Sequence, residues 1–296
     1  MARPPELSRR IRRRRIVAAV LFLAAVAAAA GVSIAAVSGG GRARPAPPPR
    51  PLAPPRPFRI VFPEGFTRAA MAVRVRDVAR IADREHRGRV RLSRAAYLDG
   101  SRAAIVRCFG PGPQRNLEGF LFPATYDFRA RTTARALVLD QVGAFCREWR
   151  GVSLAYARSK NLTPYDVLKI ASMVEEEAAV PGDRAKIAAV IYNRLRDRVP
   201  LGIDATLRYG LHIPPTRSIT EAELASDNPY NTRRLHGLPP TPIGNPGLAS
   251  LEAAAHPSRL GYLYYVRIPG TKRHAFFADA AAYDAYLSAH GYGPHP

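Results

Sequence analysis

Hydrophobic and polar positions divide the chain into an apolar run near the N-terminus and two regions with the patterns of folded protein. Residues 16–37 contain no charged side chain. At about 1.5 Å per residue, a helix over this run would be about 33 Å long, enough to cross a hydrocarbon core of about 30 Å. The run therefore predicts a single N-terminal transmembrane helix. A cleaved signal peptide is the alternative, although its apolar region is usually shorter, about 7–15 residues.

The segments on either side of this run indicate how it would be oriented. Residues 1–15 carry seven arginines and one glutamate, so this basic tail is expected in the cytoplasm and the rest of the chain outside. This places the chain in the cell membrane as a single-pass protein. Residues 38–57 contain three consecutive glycines and eight prolines, a composition typical of an extended linker without a core.

A small unit is predicted over residues 58–115. Alternating apolar positions at 58–62 predict a strand, and the Pro-Glu-Gly sequence that follows predicts a turn. Thr67 suits the N-cap of a helix that runs for about four turns, and a second helix is predicted at 93–107.

Residues 116–291 are predicted to form a larger, mostly helical unit with a short β element, followed by a tail at 292–296. Helical spacing of apolar positions and runs of β-branched and aromatic residues locate its elements. The predicted helices are 132–149, 164–178, 183–198, 247–255 and 279–289, and the predicted strands are 262–268 and 274–277. Residues 199–246 read as a long loop, and such loops are usually functional. Together these elements predict an α+β fold class.

The net charge of +22 could indicate a nucleic-acid partner. The chain has no zinc-finger spacing, RNA-binding aromatic pattern or Gly-rich phosphate loop, so no nucleic acid is expected. We assign much of the charge to solvated surface, with anionic wall polymers or lipid headgroups as the expected acidic neighbours. No group of His, Cys and Asp has metal-ligand spacing, and no cofactor motif appears, so neither a metal nor a cofactor is expected.

Three consecutive glutamates end the predicted helix at 164–178. An apolar stripe runs along this helix, and Glu176 points away from it, whereas Glu175 and Glu177 lie on its two shoulders. A carboxyl group beside apolar side chains and other acids should have a raised pKa, as a general acid near neutral pH requires. The alternative is an acidic helix end that faces water. Periodicity does not separate Glu177 from Glu175.

Several motifs resemble, in order, those of the endolytic murein transglycosylase (YceG-like) family. The strongest are Ala-Ser-Met-Val-Glu-Glu-Glu at 171–177 and Ile-Tyr-Asn-Arg-Leu at 191–195. The others lie at 117–123, 204–206, 209–210, 230–232, 237–240, 242–247, 254–257, 262–266 and 274–277. The resemblance covers about 116–290 and extends more weakly to the small unit, which it identifies as a shortened LysM-like subdomain.

The resemblance implies a single-pass membrane enzyme that cuts peptidoglycan glycan strands internally. Such an enzyme cleaves the bond between MurNAc and GlcNAc and leaves a 1,6-anhydro-MurNAc end. Aligning the family's Val-Glu-x-Glu pattern places the catalytic glutamate on Glu177 and the second acid of that pattern on Glu175. The resemblance also implies a role in trimming or terminating nascent strands, with penicillin-binding proteins as expected partners.

One carboxyl group suffices for this chemistry. Protonated Glu177 would donate to the glycosidic oxygen, and its carboxylate would then take a proton from the sugar's own C6 hydroxyl as that oxygen attacks C1. Ordinary glycosidases usually need a second carboxylate. Two alternatives stay open: a cell-wall hydrolase that uses Glu177 with Asp204, and a non-catalytic, membrane-anchored wall-binding protein.

Other residues in the matched motifs are candidates for contacting sugar or orienting Glu177. These candidates are Asp204, Tyr230, Asn231, His256 and Glu118. Turn, cap or cleft-lining roles compete for several of them, and His256 before a proline could simply end a helix.

Further positions have structural interpretations or depart from the family pattern. Asn193 and Arg194 could join two helices at least as readily as contact a ligand. For the tyrosines at 264–265, core packing is favoured over stacking on sugar. The family commonly has Thr and Pro where this chain has Ala178 and Ala205.

The chain has two cysteines, Cys108 and Cys146, both expected outside the membrane. A disulfide between them is possible in an oxidising compartment. Two buried free thiols are the alternative, because the sequence gives no distance.

Overall fold

A computed structural model of the chain describes residues 57–86, 90–102, 106–109 and 116–292. The predicted basic tail, the predicted transmembrane helix and all of the linker except its last residue lie outside these ranges. Among the residues that are described, no helix has the length and apolar character needed to cross a bilayer. The described part is α+β, with helices and two small sheets, as expected from the sequence.

The elements are named in chain order. The helices are α1 (Arg68–His86), α2 (Arg94–Gly100), α3 (Ala134–Trp149), α4 (Ala155–Ser159), α5 (Pro164–Glu177), α6 (Arg184–Arg196), α7 (Asp204–Leu211), α8 (Glu221–Leu224), α9 (Leu248–Ala255) and α10 (Ala280–Ala289). A 3₁₀ turn, Pro181–Asp183, lies between α5 and α6. The strands are β1 (Phe58–Val61), β2 (Thr125–Phe128), β3 (Tyr264–Arg267) and β4 (His274–Phe277).

Each sheet is an antiparallel pair of strands. In the first, Phe58 of β1 lies opposite Phe128 of β2. The sequence did not predict β2, which belongs to the larger predicted unit but pairs with the strand that opens the small one. The small and large predicted units therefore share a sheet, and one continuous core runs through both. In the second sheet, Tyr264 of β3 lies opposite Phe277 of β4.

Helix α2 is shorter than the predicted helix at 93–107. It ends at Gly100, and the Ser101 hydroxyl donates to the carbonyl oxygens of Tyr97 and Leu98 at 2.7 and 3.3 Å. These bonds satisfy carbonyl groups that the end of a helix leaves without partners. At the start of the helix, the Ser93 side chain accepts a hydrogen bond from the amide of Ala96 and so caps it.

Helix α5 carries the predicted apolar stripe into the core. Thr163 and Asp166 form a reciprocal capping box at its start, with Pro164 in the first turn. Four side chains of this predicted stripe are fully buried in the structure: Val167, Ile170, Ala171 and Val174. Helix α5 packs against both α6 and α9, so its C-terminal glutamates emerge at a junction of several segments.

The predicted loop at 199–246 contains two helices, α7 and α8, and the expectation of an uninterrupted loop is wrong. Helix α7 ends at His212, whose backbone is left-handed with φ of 55°. Helix α8 is one turn long and is held by a capping box between Thr220 and Glu223. Apolar periodicity in the sequence did not reveal these two helices because they are short.

Cys108 and Cys146 form a disulfide that attaches the segment after α2 to α3. The two residues are 38 positions apart in sequence. Next to this bond, Phe109 contacts the rings of Phe120 and Trp149. The covalent link therefore fixes an aromatic part of the core.

We expect the Cys108→Ser/Cys146→Ser variant to unfold with a free energy lower by about 2–4 kcal/mol, because the unfolded chain regains the freedom of the closed loop. Urea denaturation of the oxidised protein and of the variant measures this difference. Adding a reductant should destabilise the original chain and leave the variant unchanged. Equal midpoints for the oxidised chain and the variant would contradict the expectation.

Candidate active site

The three glutamates at the end of α5 have three different environments. Glu175 turns towards α9, where its Oε2 accepts the backbone N–H of Gly247 at 2.9 Å. Its Oε1 lies 3.6 Å from the Arg184 guanidinium, and its side chain is 8% exposed. Because protein groups already engage its oxygens, Glu175 ties α5 to the start of α9, and its contact with substrate stays a prediction.

Glu177 turns towards strand β3. The hydroxyl of Tyr265 donates a hydrogen bond to Glu177 Oε2 at 3.2 Å. Burial raises the pKa of Glu177, and the bond from Tyr265 opposes that rise. Among more distant charges, the carboxylate of Asp204 raises this pKa, whereas the guanidinium groups of Arg267 and Arg233 lower it. Glu177 is thus a half-buried carboxyl group whose pKa is higher than that of an exposed glutamate.

Glu176 lines a cavity of about 410 Å³. Its side chain is open to this space, yet it lies in a concave wall that removes part of its hydration. That burial, with the neighbouring carboxylates of Glu175, Glu177 and Glu118, raises the pKa of Glu176 to about 7. The backbone at Gly65 covers one side, with φ of 78°, and a Cβ there would lie 2.9 Å from Glu176 Oε1. The periodicity of the sequence placed Glu176 on the face of α5 opposite the apolar stripe. It did not indicate a raised pKa, because the cavity that causes the rise forms only in the folded chain.

Glu118 also lines this cavity and is 3% exposed. Its carboxylate accepts the Arg68 backbone N–H at 2.8 Å, the Asn245 side-chain amide at 2.9 Å and the Tyr209 hydroxyl at 3.1 Å. Burial raises the pKa of Glu118 to about 7, against the effect of these donors. Both interpretations of Glu118 therefore apply, because it lines the cleft and also sits in a turn at Gly119, where φ is 88°.

Asn245 joins three segments that meet beside this cavity, and the sequence analysis did not single it out. Its side-chain amide donates to the carbonyl oxygen of Phe66 at 2.8 Å as well as to Glu118, and its side-chain oxygen accepts the Leu121 amide at 2.9 Å. Asn245 is fully buried. Its position in the motif at 242–247 was the available signal, but its partners are more than 120 residues away in sequence.

Asp204 begins α7 and pairs with Arg233, whose Nε lies 2.6 Å from Asp204 Oδ1. The sequence analysis did not identify Arg233. A carboxylate held by a guanidinium is a poorer base or nucleophile than a free one. The pairing therefore weakens the interpretation of Asp204 as the second carboxylate of a hydrolase.

The other candidates make mainly structural contacts. Tyr230 bonds to the hydroxyl of Thr241 at 2.8 Å and packs its ring against that of Tyr209. Asn231 is fully buried, and its amide donates to two backbone carbonyl oxygens, which is the turn-stabilising role. His256 follows α9 and pairs with Glu252 one turn earlier at 3.0 Å. Direct sugar contacts by these residues stay predictions.

Asn193 and Arg194 fasten α6 to the segments around the site. The amide of Asn193 donates to the carbonyl oxygens of Leu260 and Tyr262 at 2.8 and 2.9 Å. The guanidinium of Arg194 donates to those of Leu263 and Leu201, both at 2.7 Å. These bonds position the segments that lead into β3 and α7. The pair therefore has a structural role, although it joins α6 to loop segments and not to a second helix.

A metal site is not evident in the described part of the chain. Within it, no group of three or more His, Cys, Asp and Glu side chains has an arrangement that could hold a metal ion. At the end of α5, Glu177 lies beside a hydroxyl donor and Glu176 lines the cavity of about 410 Å³. The pKa values of both carboxyl groups are raised.

The chain is similar in fold and in sequence to known proteins. A crystal structure of a YceG-like protein from Listeria monocytogenes is similar to the chain with a TM-score of 0.63 and 28% identity, covering 78% of this chain and 76% of that one. An endolytic murein transglycosylase from Bacillus subtilis is 37% identical over 161 residues, or 53% of this chain and 44% of that protein. One from Streptococcus pneumoniae is 36% identical over 162 residues, or 52% of this chain and 29% of that protein.

The chain therefore matches less than half the length of either of these two named relatives. The model of the YceG-like family matches residues 50–288, which include both sheets and all of the carboxyl groups described above. The chain belongs to the YceG-like family.

Proposed function

We propose that the chain is a lyase, an endolytic peptidoglycan transglycosylase that cleaves the bond between MurNAc and GlcNAc within glycan strands. Two relatives of similar sequence carry the name endolytic murein transglycosylase. The observation that carries the proposal is Glu177, a closely surrounded carboxyl group with a raised pKa at the end of α5. A general acid near neutral pH requires such a group.

In the proposed reaction Glu177 acts twice. As the bond between C1 and the glycosidic oxygen breaks, Glu177 gives its proton to the leaving oxygen. The resulting carboxylate then removes the proton from the C6 hydroxyl of the same sugar, and the C6 oxygen forms a new bond to C1. Glu177 ends in its starting protonation state, no water is consumed, and the product carries a 1,6-anhydro end.

This route needs no second carboxylate, which fits the pairing of Asp204 with Arg233. The charges near Glu177 suit both steps. Arg233 and Arg267 favour the carboxylate that must form, whereas burial favours the acid that must exist before the bond breaks. The balance between them is what one group with two roles requires.

We also propose that residues 16–37 anchor the enzyme in the cell membrane, with the described part outside the cytoplasm. The disulfide between Cys108 and Cys146 supports this location, since disulfides persist in oxidising compartments. The enzyme would trim or terminate new glycan strands, beside penicillin-binding proteins.

Replacing Glu177 by Gln keeps the size of the side chain and removes the transferable proton. We expect the rate of glycan cleavage by Glu177→Gln to fall about 10²–10⁴-fold. Glu221→Gln, at an exposed position on α8, is the matched control and should retain full activity. Mass spectrometry of digested peptidoglycan should find anhydro ends for the active proteins. Reducing ends in their place would identify a hydrolase, and unchanged cleavage by Glu177→Gln would refute the mechanism.

The pH profile should report the ionisation of Glu177. Because the protonated form begins the reaction and its pKa is raised, activity should decline on the alkaline side only well above pH 4.3, the ordinary value of a glutamate. Asp204→Asn removes a negative charge and should move this decline to lower pH, whereas Arg267→Gln should move it to higher pH. Shifts in the opposite directions would contradict the assignment.

The membrane anchor predicts where the full chain resides. We expect the full chain to stay with membranes during alkaline carbonate washing and to need detergent for release, because a spanning apolar helix does not dissociate in water. A chain that begins at residue 57 should be released without detergent. Co-purification of penicillin-binding proteins with the detergent extract tests the expected partners, and carbonate release of the full chain would disprove the anchor.

A further inference from the structure

We propose that Tyr265 is a positioning residue for Glu177, directing the reactive oxygen of the carboxyl group towards the substrate. This inference rests on the function proposed above. The sequence had favoured core packing for the tyrosines at 264–265. Their two side chains differ in the structure, since Tyr264 stacks on Tyr283 with ring centroids 5.0 Å apart, whereas the Tyr265 hydroxyl donates to Glu177.

The direction of this hydrogen bond decides which oxygen carries the proton. The phenol hydrogen points to Glu177 Oε2, 3.2 Å away, so Oε2 acts as the acceptor. In our proposal the phenol keeps this donor role when Glu177 is protonated, and the carboxyl hydrogen is then on Oε1. Tyr265 thus leaves Oε1 to give a proton to the glycosidic oxygen and to receive one from the C6 hydroxyl.

A closed path of contacts holds Tyr265 in place. Tyr265 on β3 lies opposite Phe276 on β4, and its ring meets the edge of His274 at 5.4 Å with an interplanar angle of 90°. The backbone N–H and ring Nδ1 of His274 contact Asp183 Oδ2 at 2.9 and 3.0 Å. Asp183 follows Glu177 by six residues. These contacts therefore link Tyr265 to the segment that directly follows α5.

The His274–Asp183 pair can hold Tyr265 in place because it is shielded from solvent. Its side chains are only 5% and 4% exposed, so water does not compete with the contact. At the other end of β3, Arg194 donates to the carbonyl oxygen of Leu263 at 2.7 Å. One end of β3 is therefore bound to α6 through Leu263, and the other end lies opposite His274, which is bound to Asp183 just before α6. These contacts limit how far the phenol can move from Glu177.

Other charged groups near Glu177 are accounted for separately. Asp204 at the start of α7, Arg233 in the loop after α8 and Arg267 on β3 act on Glu177 through charge. Arg194 of α6 lies beside the phenol of Tyr265 and acts on its ionisation. Tyr265 differs from all of these in donating a hydrogen bond directly to the carboxyl group, so its removal should have an effect that charge changes do not reproduce.

The test compares the full chain with its Tyr265→Phe and Tyr264→Phe variants. Carbon-13 NMR of labelled glutamate carboxyls follows the titration of Glu177, whose signal is the one lost in Glu177→Gln. We expect Tyr265→Phe to raise the pKa of Glu177 by roughly one unit, because a donor to its carboxylate is lost. Tyr264→Phe, on the same strand, should leave the titration unchanged.

Activity provides the second readout. In Tyr265→Phe, kcat should fall by roughly tenfold to a hundredfold with KM little changed, because binding is retained while the reactive oxygen is misplaced. The alkaline decline of the pH profile should move to higher pH along with the titration. A titration that does not move, or a decline in kcat that Tyr264→Phe reproduces, would overturn the proposal.

Two further outcomes have defined meanings. If Tyr265→Phe does not fold, Tyr265 can be replaced by 3-fluorotyrosine, which keeps the ring and is a stronger hydrogen-bond donor. The pKa of Glu177 should then fall. An unchanged pKa would refute the inference. If Glu177→Gln remains active, the proposed function fails, but the NMR titration still decides whether Tyr265 controls Glu177.

Discussion

The desolvation of the acidic end of α5 is the constraint on which the rest of the site depends. Three consecutive glutamates stand at the carbonyl end of a helix, where the helix dipole already disfavours negative charge. The surrounding segments bury them further and raise the pKa values of Glu176 and Glu177. Helix α5 tolerates this arrangement because its other face is anchored in the core through fully buried apolar side chains.

Each of the three glutamates has different neighbours, and the contacts with these neighbours distinguish the three side chains. Glu175 is bound by Gly247 and Arg184 and acts as a link between helices. Glu176 faces a cavity. In the described part of the chain, Glu177 accepts a hydrogen bond from the Tyr265 hydroxyl on one of its two oxygens. A raised pKa alone would not distinguish these groups, because Glu118 shares it while having its oxygens fully engaged.

The site is assembled from segments that are distant in sequence, and buried polar side chains hold them together. Asn245 and Glu118 connect the start of α1, the turn before β2 and the segment that enters α9. Arg194 does the same for the segments before β3 and α7. Buried polar groups of this kind are costly when a partner is lost, so they specify a single arrangement of the loops that surround Glu177.

The sequence by itself determined the α+β class, the capped helix α5 with its apolar stripe and acidic end, and membership of the YceG-like family. These features are local, since a helix and its cap are set by residues within a few positions of one another. Short elements such as β2 and α7 escaped prediction, because their formation depends on partners supplied by the folded chain rather than on periodicity.

The tertiary structure alone decided which glutamate meets which neighbour. Neither the donor from Tyr265 to Glu177 nor the guanidinium of Arg233 beside Asp204 follows from spacing, because their partners lie 88 and 29 residues away in sequence. Burial, which raises the pKa values, is likewise a property of packed segments and not of any one of them. The sequence supplied the acid, and folding supplied the environment that raises its pKa.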